Sequence, residues 1–153
     1  MATPEERLQE LGLAVPAVPK PLASYVPAVR SGDYVYTSGQ LPMRDGQLML
    51  TGKVGADVTP EQAVECAQQC ALNAIAAVDS MIDDLSSVVR IVKIVVFVAS
   101  SPDFTGQPAV ANGASELIGS VFGDAGQHAR SAVGAASLPL DAPVEVEMVV
   151  EVN

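Results

Sequence analysis

Tryptophan is absent from this 153-residue chain, histidine occurs once and cysteine twice. His128 and the two cysteines lie far apart in sequence, so no zinc-ligand spacing exists, and neither a metal nor another cofactor is expected. Basic residues are scarce: 8 Lys+Arg stand against 18 Asp+Glu, a formal net charge of -10. That balance argues against a nucleic-acid partner, whose phosphates are gripped by Lys and Arg, and against docking on an anionic membrane surface. Long apolar runs are missing too. The longest, Ile91 to Ala99, is broken by Lys93, whereas a spanning helix needs about 20 apolar residues. The opening MATPEERLQE has no apolar signal region. No G-x-S-x-G elbow occurs, and Gly52-Lys53-Val54-Gly55 lacks the glycines and the Ser/Thr of a phosphate loop. Cys66 and Cys70 are four apart, which places them side by side on a helix face with nearly parallel Cβ vectors. That is a poor disulfide geometry, so free, packed thiols and a reducing, cytoplasmic setting are expected.

What is present is apolar bulk: 49% hydrophobic residues with 17% charged. One domain over 1–153 is expected, with a helix and Pro-rich arm over 1–21 and a core over 22–153. Thr3-Pro4-Glu5-Glu6 is a capping box that opens a short helix ending near Gly12. Pro16, Pro19 and Pro21 then dictate an extended arm. Ser31-Gly32-Asp33 between two β-prone runs predicts a hairpin, and Arg44-Asp45-Gly46 predicts a turn into a short strand near 47–50. Thr59-Pro60-Glu61-Gln62 is a second capping box, opening a helix to about Met81 with a face of mostly small residues. Strands are predicted over Val88–Ala99, Ala129–Leu138 and Pro143–Val152, with a helix marked by Val110, Ala114, Leu117, Ile118 and Val121 and stopped by Gly123. In the last strand Val144, Val146, Met148, Val150 and Val152 share one face; Glu145, Glu147 and Glu151 share the other.

The predicted order is βββαβαββ, an α+β fold with two helices on one face of a mixed sheet. The other face is left uncovered, which predicts a homo-oligomer with sheet faces meeting at its centre.

Two kinds of residue are candidates for chemistry. Arg130 sits where a loop becomes a strand of small residues, Ala129, Ser131, Ala132 and Gly134, beside which a ligand can approach the backbone. Arginine binds planar carboxylates bidentately; the competing reading is an ion pair in a subunit interface. A glutamate of the last strand is a candidate to hold or deprotonate water, but periodicity does not choose among Glu145, Glu147 and Glu151. His128 and Ser131 lie three apart with no third partner, which reads as a surface histidine.

At these residues the chain resembles the Rid (YjgF-like) enamine/imine deaminases, also described as L-PSP endoribonucleases. The resemblance rests on Tyr25-Val26-Pro27, YTSGQLP from Tyr36 to Pro42, Val95, Phe97-Val98, Asp103-Phe104, Asn112, Ala129-Arg130-Ser131, Leu138-Pro139 and Val144 to Glu147, in family order. It is closest to a longer subgroup carrying the N-terminal arm. It implies a chorismate-mutase-like fold and a homotrimer with a barrel-like core and clefts between subunits. It further implies that Arg130 grips the carboxylate of a 2-imino acid and that Glu147 is associated with the attacking water. It implies that Tyr25, Ser38, Gly39, Asn112, Ser131 and Ala132 bind the substrate in the cleft. The products would be a 2-keto acid and ammonia. The alternatives are a non-catalytic trimeric module that binds small carboxylates and, against the charge, an endoribonuclease. The chain departs from the family pattern at Ala132, where well-known members have Cys, and at His128, where they have Pro.

Overall fold

A computed structural model describes residues 1–21 and 23–153; Leu22, where the expected core begins, lies outside the described residues. Both capping boxes form. Thr3 caps α1 (Pro4–Glu10) and Thr59 caps α2 (Pro60–Asp79); each hydroxyl accepts from the third helical N–H, and the Glu6 and Gln62 side chains accept from the cap N–H. Because proline at the first helical position carries no N–H, two of the three free N–H groups of each helix start are thereby satisfied locally. The remaining helix, α3 (Gln107–Phe122), stops at Gly123, whose φ of 60° suits glycine.

The main sheet comprises β1 (Ala28–Ser31), β2 (Tyr34–Thr37), β5 (Val88–Ala99), β6 (Ala129–Ala135) and β7 (Val144–Val152), in the order β1-β2-β7-β5-β6. Only β5 and β6 run parallel, with α3 as the crossover between them. The Gly32-Asp33 turn closes β1 onto β2 as the sequence predicts. The third predicted strand departs from expectation. Gln47–Leu48 (β4) pairs with Met43–Arg44 (β3) in a separate ribbon, around Asp45 and Gly46 with φ of 54° and 80°. Positive φ at both turn residues is what a two-residue I′ hairpin requires. The edge of β7 that this strand would have joined is already occupied, by β2 along Val149–Glu151 and by a lone bridge from Gln40 to Val146. The strand predicted over Ala129–Leu138 also ends earlier, at Ala135.

Helices α2 and α3 lie together on one face of the sheet, α2 over β7 and β2, α3 over β6 and β5. The core is built where they meet it, from Ile91, Ile94, Val96 and Val98 of β5 and the five apolar residues of β7, all buried. Each such side chain contributes about 1.5–3 kcal/mol by leaving water. A Cβ at Gly113 of α3 would collide with the Val64 carbonyl of α2, so the helices touch backbone to backbone there. Helix α1 docks Leu8 into the core, and Glu5 accepts from the Leu85 N–H at 2.8 Å.

The opposite sheet face has no helix. Strand alternation places Val29, Tyr34, Tyr36 and Val133 there, and they are 51%, 39%, 49% and 43% exposed. Cys66 and Cys70 are free and buried, as the helix-face reading expects.

Two glycines of α3 provide a paired test. Gly119→Ala meets nothing within 4 Å and is expected to raise stability by about 0.5–1 kcal/mol, from lower entropy of the unfolded chain. Gly113→Ala is expected to lower it by about 1–3 kcal/mol through overpacking. Urea titrations of the two variants check both signs.

Candidate functional site

Arg130 pairs in register with Ile94, which is fully buried beneath the helices, so Arg130 leaves β6 on the helix side. Because β6 is the sheet's edge, the long side chain runs alongside α3. Its Nη1 donates to Asn112 Oδ1 at 2.8 Å and to Ser115 Oγ at 3.2 Å. Those two acceptors are three apart on the helix and therefore share a face. His128 completes the cluster: Nδ1 lies 2.6 Å from the Gly126 carbonyl and Nε2 lies 2.9 Å from Ser115 Oγ. A carbonyl only accepts, so Nδ1 carries a proton, and in the neutral ring Nε2 accepts from the Ser115 hydroxyl. Ser115 thus gives its hydrogen to His128 and takes one from Arg130. The bonds form one directed chain: Arg130 to Ser115, Ser115 to His128, His128 to Gly126.

His128 is therefore a half-buried residue with both ring nitrogens bonded, not the surface histidine read from sequence, and its partner is Ser115 rather than Ser131. Among the described residues no carboxylate stands within ion-pair distance of Arg130. Two neutral oxygens orient the guanidinium.

The glutamates lie elsewhere. Glu147 is aligned with Val95, and Val95 with Ser131, on the open face of the sheet. Arg130 and Glu147 thus leave the sheet on opposite faces, and one chain does not bring them together. Ser131 shares the Glu147 face; Ala132 shares the Arg130 face and packs against the core.

Gly39 and Glu145 are in contact. Gln40 bridges Val146 in both directions, at 2.7 and 2.9 Å, which lays the Ser38-Gly39-Gln40 segment along β7. A Cβ at position 39 would strike the Glu145 carboxylate. The glycine is required for that close approach. Burial pushes the Glu145 carboxyl above its ordinary value, and the neighbouring Glu147 charge pushes it further the same way. The Ser38 hydroxyl donates to the Val26 carbonyl at 2.6 Å, which ties down the segment carrying Tyr25. Tyr25 and Gly39 line the same cavity. The expected site residues thus form two groups: Arg130 and Asn112 at the edge strand, and Tyr25, Ser38, Gly39 and Glu147 around β2 and β7. Ser115 was not read from sequence as a site residue; its only signal is the three-residue spacing from Asn112.

Such an α+β layer, with one bare sheet face, is of the chorismate-mutase-like kind. The model of the endoribonuclease L-PSP family matches residues 16–152. The chain belongs to this family, that of the Rid (YjgF-like) proteins. Protein TCP17 of Trypanosoma cruzi is 48% identical over 95% of this chain and 92% of its own. The 2-iminobutanoate/2-iminopropanoate deaminase of Dermatophagoides farinae is 34% identical over 92% and 95%. The crystal structure of an Agrobacterium tumefaciens protein of unknown function is 47% identical, covers 99% of this chain and 94% of that one, and superposes with a TM-score of 0.92. Helix α1 precedes the segment matched by the family model, yet the Agrobacterium structure extends over it.

A carboxyl held above its ordinary 4.5 makes the folded chain bind a proton that the unfolded chain releases. This contribution to stability is fully present below pH 4.5 and is lost as pH rises through the elevated folded value. Glu145→Gln is expected to remove that loss, so the variant gains on wild type as pH rises from 4 toward 8. Urea midpoints across that range check it; a gap between the two proteins that does not change with pH would contradict the assignment.

Proposed function

We propose that the chain hydrolyses reactive 2-imino or enamino acids to 2-keto acids and ammonia, in clefts between the subunits of a homotrimer. The observation that carries this reading is the placement of Arg130 and Glu147 on opposite faces of one sheet. A site that uses both is completed by a second copy, whose open face, with its glutamates, lies against the edge strand of the first. The exposed Val29, Tyr34, Tyr36 and Val133 provide an apolar surface for that association. Family membership and the deaminase named in Dermatophagoides farinae support the reaction class.

Arg130 takes the substrate carboxylate bidentately, with Asn112 and Ser115 holding the guanidinium from behind. Glu147 of the neighbouring copy accepts a proton from water as the water oxygen adds to the C=N carbon. The imine nitrogen takes up a proton, the C–N bond of the resulting carbinolamine breaks, and ammonia leaves as the C=O forms. An enamino acid enters after tautomerising to the imine. A protonated imine is already a strong electrophile, so positioning supplies much of the acceleration. The net charge of -10 weighs against the ribonuclease activity in the family's description.

The test is release of keto acid and ammonia from 2-iminopropanoate, made in situ by an amino-acid oxidase with semicarbazide as competing trap. Wild type should accelerate the loss. Arg130→Ala should weaken carboxylate binding by about 2–5 kcal/mol. Glu147→Gln should lower kcat by about 10²–10⁴-fold and spare keto-acid binding. Turnover unchanged in Glu147→Gln would remove the catalytic assignment and leave Arg130 as the holder of a carboxylate in a non-catalytic module. Sedimentation should give the mass of three chains.

A further inference from the structure

Gly39 and Tyr25 line a cavity of about 730 Å³ that the reaction as written leaves unused. Its outer wall is the proline-rich arm, from Pro16 to Pro21. Three prolines in six residues fix φ and remove N–H groups, so this wall is stiff and offers few donors. Leu41, Met43 and Leu72 add to an apolar lining. The floor is set by two buried amides of α2. Asn73 donates to the carbonyls of Leu41 and Met43, both at 3.0 Å, and Gln69 donates to Asn73 Oδ1 at 3.1 Å. Those bonds lock the floor and the start of the β3–β4 ribbon into one shape, so the cavity is preformed. Gly39 forms part of the wall, and the Glu145 carboxylate rests against the same glycine. The cavity therefore adjoins the glutamate half of the proposed cleft.

We propose that this arm-walled cavity receives the side chain of the substrate, and that the substrates are 2-imino acids with long aliphatic or aromatic side chains. The inference rests on the deaminase reading and specifies its substrate class. A cavity of this size falls within the roughly 300–1,000 Å³ typical of sites for drug-sized ligands. The methyl group of 2-iminopropanoate would leave nearly all of it unfilled. With the carboxylate on Arg130 and the imine carbon near Glu147, a longer side chain passes Gly39 and Tyr25 into the cavity. Each methylene that leaves water there raises affinity by about fourfold. The arm acts as a specificity element and takes no part in the bond-making steps.

Calorimetric binding of pyruvate, 2-oxohexanoate and phenylpyruvate to the full-length protein tests this without requiring turnover. Affinity is expected to rise at least tenfold from pyruvate to either larger acid. Val18→Trp fills the cavity from the arm and should abolish that gain while leaving pyruvate binding within twofold of wild type. Ala17→Trp is a second filling variant should the first fold poorly. Equal affinity for all three acids, or a gain that survives both tryptophans, overturns the inference; a neighbouring copy seated in the cavity would produce that result. Turnover of the matching imines, run in parallel, separates the two readings. Length-dependent binding without hydrolysis of any imine keeps the cavity and removes the deaminase, whereas hydrolysis indifferent to side-chain length does the reverse.

Discussion

Strand β7 is paired on both edges, by β5 along most of its length and by β2 and Gln40 on the other side. Its two-residue alternation therefore governs both halves of the molecule. Val144, Val146, Met148, Val150 and Val152 are driven beneath α2, and the intervening positions necessarily face the other way. A register slip of one residue would push three glutamates into the core, at a desolvation cost the fold could not bear. The same constraint that secures the core thus presents Glu145 and Glu147 on the bare face. The placement of the glutamates and the packing of the core are one arrangement read from two sides.

Opposed faces are also what makes the proposed site one that two copies must share. Arg130 follows the buried register of β5 and is turned toward α3, where Asn112 and Ser115 take its N–H groups. Glu147 follows the open register. No side-chain rotation carries one through the sheet to the other. On the proposed reading, assembly is the condition for placing cation and carboxylate around one substrate, and the exposed tyrosines and valines of the open face offer it an apolar surface.

Much of this was legible in the sequence because its signals are local. The capping boxes at Thr3 and Thr59, the stop at Gly123 and the strand Val88–Ala99 each depend on residues a few positions apart, and each stands where it was expected. The third sheet strand was misplaced because pairing is a competition between distant segments, and β2 and Gln40 already hold the contested edge. The Arg130–Ser115–His128 chain was illegible for a related reason. It joins α3 to β6 across a crossover, and its direction follows from one carbonyl, that of Gly126. Gly39 was marked by resemblance alone; its physical reason, the carboxylate pressed against it, depends on a contact with a strand over a hundred residues later.

The two cysteines show what close packing does to reactivity. Both are buried on α2; burial first, then the charge of Glu65, pushes the Cys66 thiol up to about 11, and burial holds Cys70 well above its ordinary value. At pH 7 the thiolate fraction of Cys66 is then roughly one in ten thousand, and the thiolate is the form that reacts. Neither cysteine therefore offers a ready thiolate to oxidants or to electrophilic small molecules.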